Sequence, residues 1–318
     1  MSLSSTQTAA GEKSSVRGWS GRTRGGVFGN WVFITLIRGV GLYPAYFLLM
    51  FVALYFVGCA PAARRASIRY LARVGLVSGS ILSWYAGTYR HFYAYGITLV
   101  DRIAVLSGIT KRFSFEFEGE DEIRAALARG KGLVLLGAHF GNWEIAAHLL
   151  AGLNVTVNIL LFEGERERVQ RVMGSVFRDR KWRLIAVDGT GNETFEALAA
   201  LRNGEVVAIL ADRAIAENEK GQTLVPFLGK DAYFPIGPHL LAAAAGAGII
   251  HAFAARTRLF HYRFYVYPAG YPVLTSRANR QQDLRGWVEL FVTRVESLVR
   301  QHPLQWNNFF DFWREDAR

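Results

Sequence analysis

Leu133-Val134-Leu135-Leu136-Gly137-Ala138-His139-Phe140-Gly141-Asn142-Trp143-Glu144 is the stretch on which the fold turns. The apolar run Leu133–Gly137 has the length of a buried strand. Ile145-Ala146-Ala147-His148-Leu149-Leu150 then reads as a helix, with Gly141 and Asn142 at the turn between them. On one continuous helix, five steps of 100° would leave His139 and Glu144 about 140° apart. A working pair therefore requires His139 in the strand-to-helix turn and Glu144 in the first helical turn. There the carboxylate can accept a hydrogen bond from one imidazole nitrogen and leave the other free as a base. A histidine closing the sheet and a glutamate capping the helix would write the same string.

Outward from this box the pattern alternates. Glu120–Arg129 is helical and stopped by Gly130, and Thr194–Arg202 is helical and stopped by Gly204 ahead of the strand Glu205–Leu210. Val155–Leu161, Arg183–Val187, Gly248–Ala254 and Tyr262–Tyr267 are further strand candidates; Pro238–Ala245 and Asp283–Arg300 are helical. Helices alternating with short apolar strands predict an α/β domain over residues 111–318. Residues 1–30 form a basic tail rich in Ser, Thr and Gly, expected to be flexible. Residues 31–110 form a helical, membrane-associated region.

That assignment rests on charge. From Gly39 to Ala63 run 25 residues without a formal charge, long enough to span a bilayer, with Arg38 before them and Arg64, Arg65 and Arg69 after. Basic residues on both sides give no clear orientation, and Pro44 can break the helix, so embedding from one side competes with a true span and with a buried core helix. The whole chain of 318 residues carries +11 net charge with 51% hydrophobic residues. Nucleic acid would explain the charge but not the apolar content; an anionic lipid surface explains both. Cys59 is the single cysteine, which excludes an intrachain disulfide and a thiolate metal site.

Other candidates stand beside the box. Asp212-Arg213 follows a strand, so Arg213 can hold a phosphate or a developing oxyanion, with Asp212 orienting it. In the loop Val225–Pro238, Gly229 and Gly237 with Pro226 and Pro235 fix the path, the helix start at Gly237-Pro238 could receive an anionic group on its amides, and Lys230 could add positive charge. Plain turns and a structural ion pair account equally for these. Asp188-Gly189-Thr190-Gly191-Asn192 lacks the third glycine of a dinucleotide loop, and Glu163–Arg168 is adequately explained as a solvated run. No histidine follows Glu144 at zinc-ligand spacing, and there is no Gly-x-Ser-x-Gly elbow. Trp306–Trp313 places five aromatic rings in eight residues, suited to docking the C-terminal segment or to resting at a lipid interface.

The box His139–Glu144, Asp212-Arg213, Phe227-Leu228-Gly229-Lys230, Phe234-Pro235-Ile236-Gly237-Pro238 and the segment Gln305–Trp313, in this order, resemble the lipid A biosynthesis acyltransferase family, the late lauroyl/myristoyl branch of the lysophospholipid acyltransferase-like superfamily. The resemblance implies a mixed sheet flanked by helices, with an N-terminal membrane-associated helical segment. It also implies transfer of a fatty acyl group from acyl-carrier-protein or acyl-CoA to a hydroxyl or amine of a membrane lipid or glycolipid. His139 falls on the family's base and Glu144 on its acidic partner, with Asn142, Asp212, Arg213, Gly229, Lys230 and Gly237 as substrate or oxyanion support. It implies no metal or redox cofactor, a transient acyl carrier protein as partner, no nucleic acid, and residence at the cytoplasmic face of the inner membrane. Where lipid A enzymes commonly carry Asp-Gln, this chain has Asp212-Arg213, which resembles a subgroup acting on an aryl polyene, an amino-acid lipid or another glycolipid. A noncatalytic membrane scaffold and a lipid esterase are the competing functions.

Overall fold

The computed structural model describes residues 27–145, 155–162, 182–187, 190–213 and 221–313. The basic stretch 1–26, the run Glu163–Arg168 and Asp188-Gly189 lie outside the described residues. The helix expected after Asn142 is described only through Ile145.

Four helices come first: α1 (Val27–Gly39), α2 (Leu42–Cys59), α3 (Pro61–Arg73) and α4 (Ile81–Leu106). α1 begins inside the stretch assigned to the tail. Arg64 donates from Nη1 to Val57 O at 2.6 Å, satisfying a carbonyl at the end of α2, while Pro61 opens α3. The α/β part then runs β1 (Ser114–Glu118), α5 (Glu120–Ala128), β2 (Leu133–Gly137), β3 (Val157–Phe162), β4 (Trp182–Val187), α6 (Asn192–Arg202) and β5 (Val206–Leu210). It continues with β6 (Gln222–Phe227), β7 (Lys230–Pro235), α7 (Gly237–Ala245), β8 (Gly248–Arg258), β9 (His261–Gly270) and α8 (Arg280–Gln301).

Seven of the strands form one mixed sheet in the order β1-β9-β8-β2-β5-β3-β4. All its neighbours are parallel except β8 and β9, which form an antiparallel pair. β2 lies at its centre, and all five of its residues are buried, as a parallel strand covered on both faces requires. Its alternation divides the interior. Val134 and Leu136 face α6, α7 and α8, whereas Leu133 and Leu135 face α5 and the end of α4. Each such side chain contributes roughly 1.5–3 kcal/mol by leaving water.

The N-terminal helices are not a separate layer. Leu42, Ala45, Tyr46 and Leu49 of α2 share a core with Val100 and Ala104 of α4 and with Tyr262 and Phe264 of β9. The opposite stripe of α2, Tyr43, Phe47, Met50, Phe51, Leu54 and Tyr55, is exposed.

Two elements differ from the sequence reading. Ser114-Phe115-Glu116-Phe117-Glu118, which lies outside the elements expected from sequence, is an edge strand paired with β9. The proline-marked loop 225–238 contains instead the antiparallel hairpin β6–β7, with Leu228 and Gly229 as its two-residue turn. A two-stranded ribbon leaves one edge of each strand unpaired, which is where Pro226 and Pro235 are tolerated. Leu228 takes φ +52, and Gly229 takes +81, the signs that a type I′ turn needs. Burial of the Leu228 side chain and its N–H bond to Glu296 Oε2 (2.8 Å) hold it there.

The turn after β2 crosses β8 at close range. Gly141 has φ +58, and Asn142 N–H donates to Ala254 O at 3.0 Å. A Cβ on Gly141 would sit 1.7 Å from Ala254 O, so the strand backbone itself excludes any side chain. Gly141→Ala combines this collision with left-handed strain and is expected to cost about 2–5 kcal/mol. Thermal melting of the purified variant checks it; a melting temperature equal to wild type would contradict the crossing.

Candidate active site

β2 and β5 are parallel neighbours in the register Gly137↔Leu210, and Ala211 N–H donates to Gly137 O at 2.9 Å. Two residues beyond each strand end, the register delivers His139 and Asp212 side by side. His139 Nδ1 lies 2.7 Å from Asp212 Oδ1. Asp212 is buried, while the His139 side chain keeps 17% of its surface exposed. Ends of parallel strands are where α/β sheets place chemistry.

Burial alone would push the Asp212 carboxyl up. The charge and hydrogen bond of His139, the charge of Arg213 and the Trp306 N–H override it and hold the pKa at about 2. Asp212 is thus an acceptor, Nδ1 carries the proton between the two groups, and Nε2 is left to take another.

The C-terminal segment closes round this pair. Asn307 N–H donates to His139 O at 2.7 Å, Gly141 N–H to Gln305 O at 2.8 Å, and Asn307 Nδ2 to Gly141 O at 3.1 Å. Trp306 Nε1–H donates to Asp212 Oδ2 at 3.0 Å. The Gln305 amide is itself fixed by both backbone groups of Arg256, each at 2.8 Å.

Glu144 stands in the first helical turn, as expected, yet it is not the partner of the imidazole. Its Oε1 accepts from Arg102 Nη1 of α4 at 2.6 Å, and both side chains are nearly enclosed. The expected His139–Glu144 hydrogen bond is replaced because a buried guanidinium holds the glutamate and the neighbouring strand supplies another carboxylate. Asn142 is also turned inward: fully buried, it donates from Nδ2 to Thr98 O at 3.0 Å and so ties the turn to α4. Burial removes it from the oxyanion role proposed for it.

Arg213 donates from Nη2 to Asn307 O at 2.9 Å and lies over the Phe310 ring, so its fork fastens the C-terminal segment. Gly229 occupies the hairpin turn, Lys230 opens β7, and Gly237 opens α7. Neither Gly229 nor Gly237 supplies any of the hydrogen bonds that build the His139 turn. Trp306 and Arg102 are site residues that sequence reasoning missed. The signal for Asp212 was present in the equal two-residue offsets, but only knowledge that β2 and β5 adjoin makes it readable.

The ion pair makes a distinct expectation for Glu144. Removing one partner leaves an uncompensated buried charge, so Glu144→Ala and Arg102→Ala should each cost roughly 3–5 kcal/mol. The double change Arg102→Met with Glu144→Leu should recover much of that. Chemical denaturation of the three variants checks it; a stable Glu144→Ala protein that has lost only turnover would restore Glu144 to the chemistry.

A model of the family described as bacterial lipid A biosynthesis acyltransferase matches residues 91–315, which include His139, Asp212 and Trp306. Phosphatidylinositol mannoside acyltransferase of Mycobacterium tuberculosis, from strains ATCC 25618 / H37Rv and CDC 1551 / Oshkosh, is 27% identical over 202 residues, 62% of this chain. The chain spans about 60% of the length of these curated relatives. With the family match extending over well more than half of its length, the chain belongs to the bacterial lipid A biosynthesis acyltransferase family.

Proposed function

We propose that this protein transfers a fatty acyl group from an acyl-carrier-protein or acyl-CoA thioester to a hydroxyl of a membrane glycolipid. The observation that carries the reading is the His139–Asp212 pair at the ends of β2 and β5. His139 Nε2 takes the acceptor proton as its oxygen attacks the thioester carbonyl carbon. Asp212 fixes the tautomer and offsets the imidazolium charge. The tetrahedral oxyanion collapses, the carbon–sulfur bond breaks, and the imidazolium returns its proton to the departing thiolate. The products are an acylated lipid and a free carrier thiol. A glycolipid acceptor is supported by the family description and by the relatives' name, both of which specify acylation of such lipids.

His139→Ala is expected to lower kcat by about 10²–10⁴-fold with folding retained, and Asp212→Asn by a smaller factor. The acid limb of the pH profile should show a single ionisation, because the depressed pKa of Asp212 keeps it charged down to about pH 2. The assay combines purified protein, acyl thioester and glycolipid, with product identified by mass spectrometry. Fatty acid released without an acceptor would indicate an esterase. Full cellular complementation by His139→Ala would indicate a scaffold. Comparing lipids of a strain with and without the gene identifies the acceptor.

We further propose attachment to the cytoplasmic face of the inner membrane through one side of α2. The helix is long and apolar enough to cross a bilayer. Its inner stripe, however, packs on α4 and β9, which leaves only the outer stripe for lipid. Arg38, Arg64 and Arg65 stand near its ends to meet anionic headgroups. Replacing exposed Phe47, Phe51 and Leu54 together with serine should release the protein from anionic vesicles in a flotation assay while its melting temperature holds. Unchanged flotation would reject the outer stripe as the attachment.

A further inference from the structure

The C-terminal segment contributes a group that the acid–base pair alone does not account for. A carboxylate bonded through one oxygen can rotate about its Cβ–Cγ bond and lose its alignment with the imidazole. In this protein the second oxygen of Asp212 receives the indole N–H of Trp306 at 3.0 Å, and Trp306 is completely enclosed. The ring is wedged edge-on by Tyr70 (centroids 5.0 Å apart), Phe227 (5.2 Å) and Phe312 (4.9 Å). Its carbonyl is held by His91 Nε2 at 3.0 Å. The next residue, Asn307, donates its N–H to His139 O. Both members of the pair are therefore gripped by consecutive residues of one segment, more than ninety positions further along the chain than Asp212.

We propose that Trp306 is a positioning residue for acyl transfer: its indole N–H locks the Asp212 carboxylate in the plane that serves His139, so the segment after α8 completes the active centre. This rests on the reading of His139 and Asp212 as the acid–base pair. The indole does not touch substrate; it acts through the carboxylate, and a hydrogen bond to a charged, buried acceptor is among the stronger ones.

Trp306→Phe keeps an aromatic ring among Tyr70, Phe227 and Phe312 and deletes only the donor side of the indole. In the full-length protein it should lower kcat about tenfold with KM unchanged, the loss expected when one hydrogen bond to a charged group is withdrawn. On an Asp212→Ala background the same change should alter kcat less than about twofold, because the group through which it acts is gone. Equal losses on both backgrounds would overturn the proposal. A proton spectrum separates this from the reading of the reaction. The downfield Nδ1–H signal of His139 should be present in wild type, absent in Asp212→Ala and displaced in Trp306→Phe. An undisplaced signal in folded Trp306→Phe would overturn the positioning role, whereas wild-type protein that shows the signal but transfers no acyl group would overturn the reaction alone. Should Trp306→Phe fail to fold, the benzothiophene analogue of tryptophan at 306 keeps the two-ring volume and replaces N–H by sulfur. Wild-type kcat and an undisplaced signal in that protein would also sink the proposal.

Discussion

The backbone hydrogen bond from Ala211 N–H to Gly137 O fixes more than two adjoining strands. In a parallel pair one residue of slip would turn every side chain to the opposite face. With Gly137 opposite Leu210, Ala138 and Ala211 follow the two strand ends, both small and buried, and the chain is then free to leave the sheet. His139 and Asp212 consequently emerge at the same height on neighbouring ridges, close enough for a 2.7 Å contact. A shift in either strand would separate them by more than a hydrogen bond can reach. The buried alternation of Leu133 to Leu136 against two different cores is what makes such a shift costly.

The C-terminal segment converts that contact into a defined geometry. It has no regular structure of its own, so its shape comes from its partners. Tyr70 donates to Pro303 O at 2.6 Å, His91 meets Trp306 O, Arg213 meets Asn307 O, and Trp313 Nε1–H donates to Phe227 O at 3.2 Å. Burial lowers the pKa of His91 to about 4, against the opposing pull of the Trp306 carbonyl. The ring is therefore neutral at physiological pH, with Ser67 Oγ 2.9 Å from Nδ1. This leaves Nε2–H as the donor to Trp306 O and lets Ser67 O–H serve Nδ1. An enclosed histidine thus acts as a clamp of fixed polarity between α4 and the segment that holds the His139–Asp212 pair.

Most of the helices and central strands were legible in the sequence because their apolar residues recur with an unambiguous period: α8 keeps Leu284, Val288, Phe291, Val292 and Val295 on one face. The hairpin β6–β7 was not, since Pro226 and Pro235 argue against strand even though Val225, Phe227, Ala232 and Phe234 alternate inward. His139 could be found because histidine after a buried strand is chemically conspicuous. Its partner could not, because the acid nearest in sequence is Glu144, and strand adjacency is a property of the sheet rather than of any local window. Trp306 was legible only as apolar bulk; that its N–H reaches Asp212 depends on a fold-back of the chain that no spacing encodes.

Glu144 then shows what a fixed spacing from His139 can mean physically. A residue five positions beyond His139, in the first helical turn, points away from the sheet ends and into α4. There Arg102 binds it, Asn142 reaches Thr98, and Asp101 accepts from Tyr46 of α2 and Tyr262 of β9. Burial raises the pKa of Asp101 to about 6, opposed by those two hydroxyls and by Arg256. Within little more than one turn of α4, Thr98, Asp101 and Arg102 thus carry polar ties to the His139 turn, to α2 and to the sheet. The helix with the exposed apolar stripe and the turn that bears His139 are joined through one rigid element. A force that displaces α2 must stretch buried, charge-bearing hydrogen bonds before it can leave the His139 turn behind, and this makes the N-terminal helices part of the candidate site's scaffold rather than a detachable appendage.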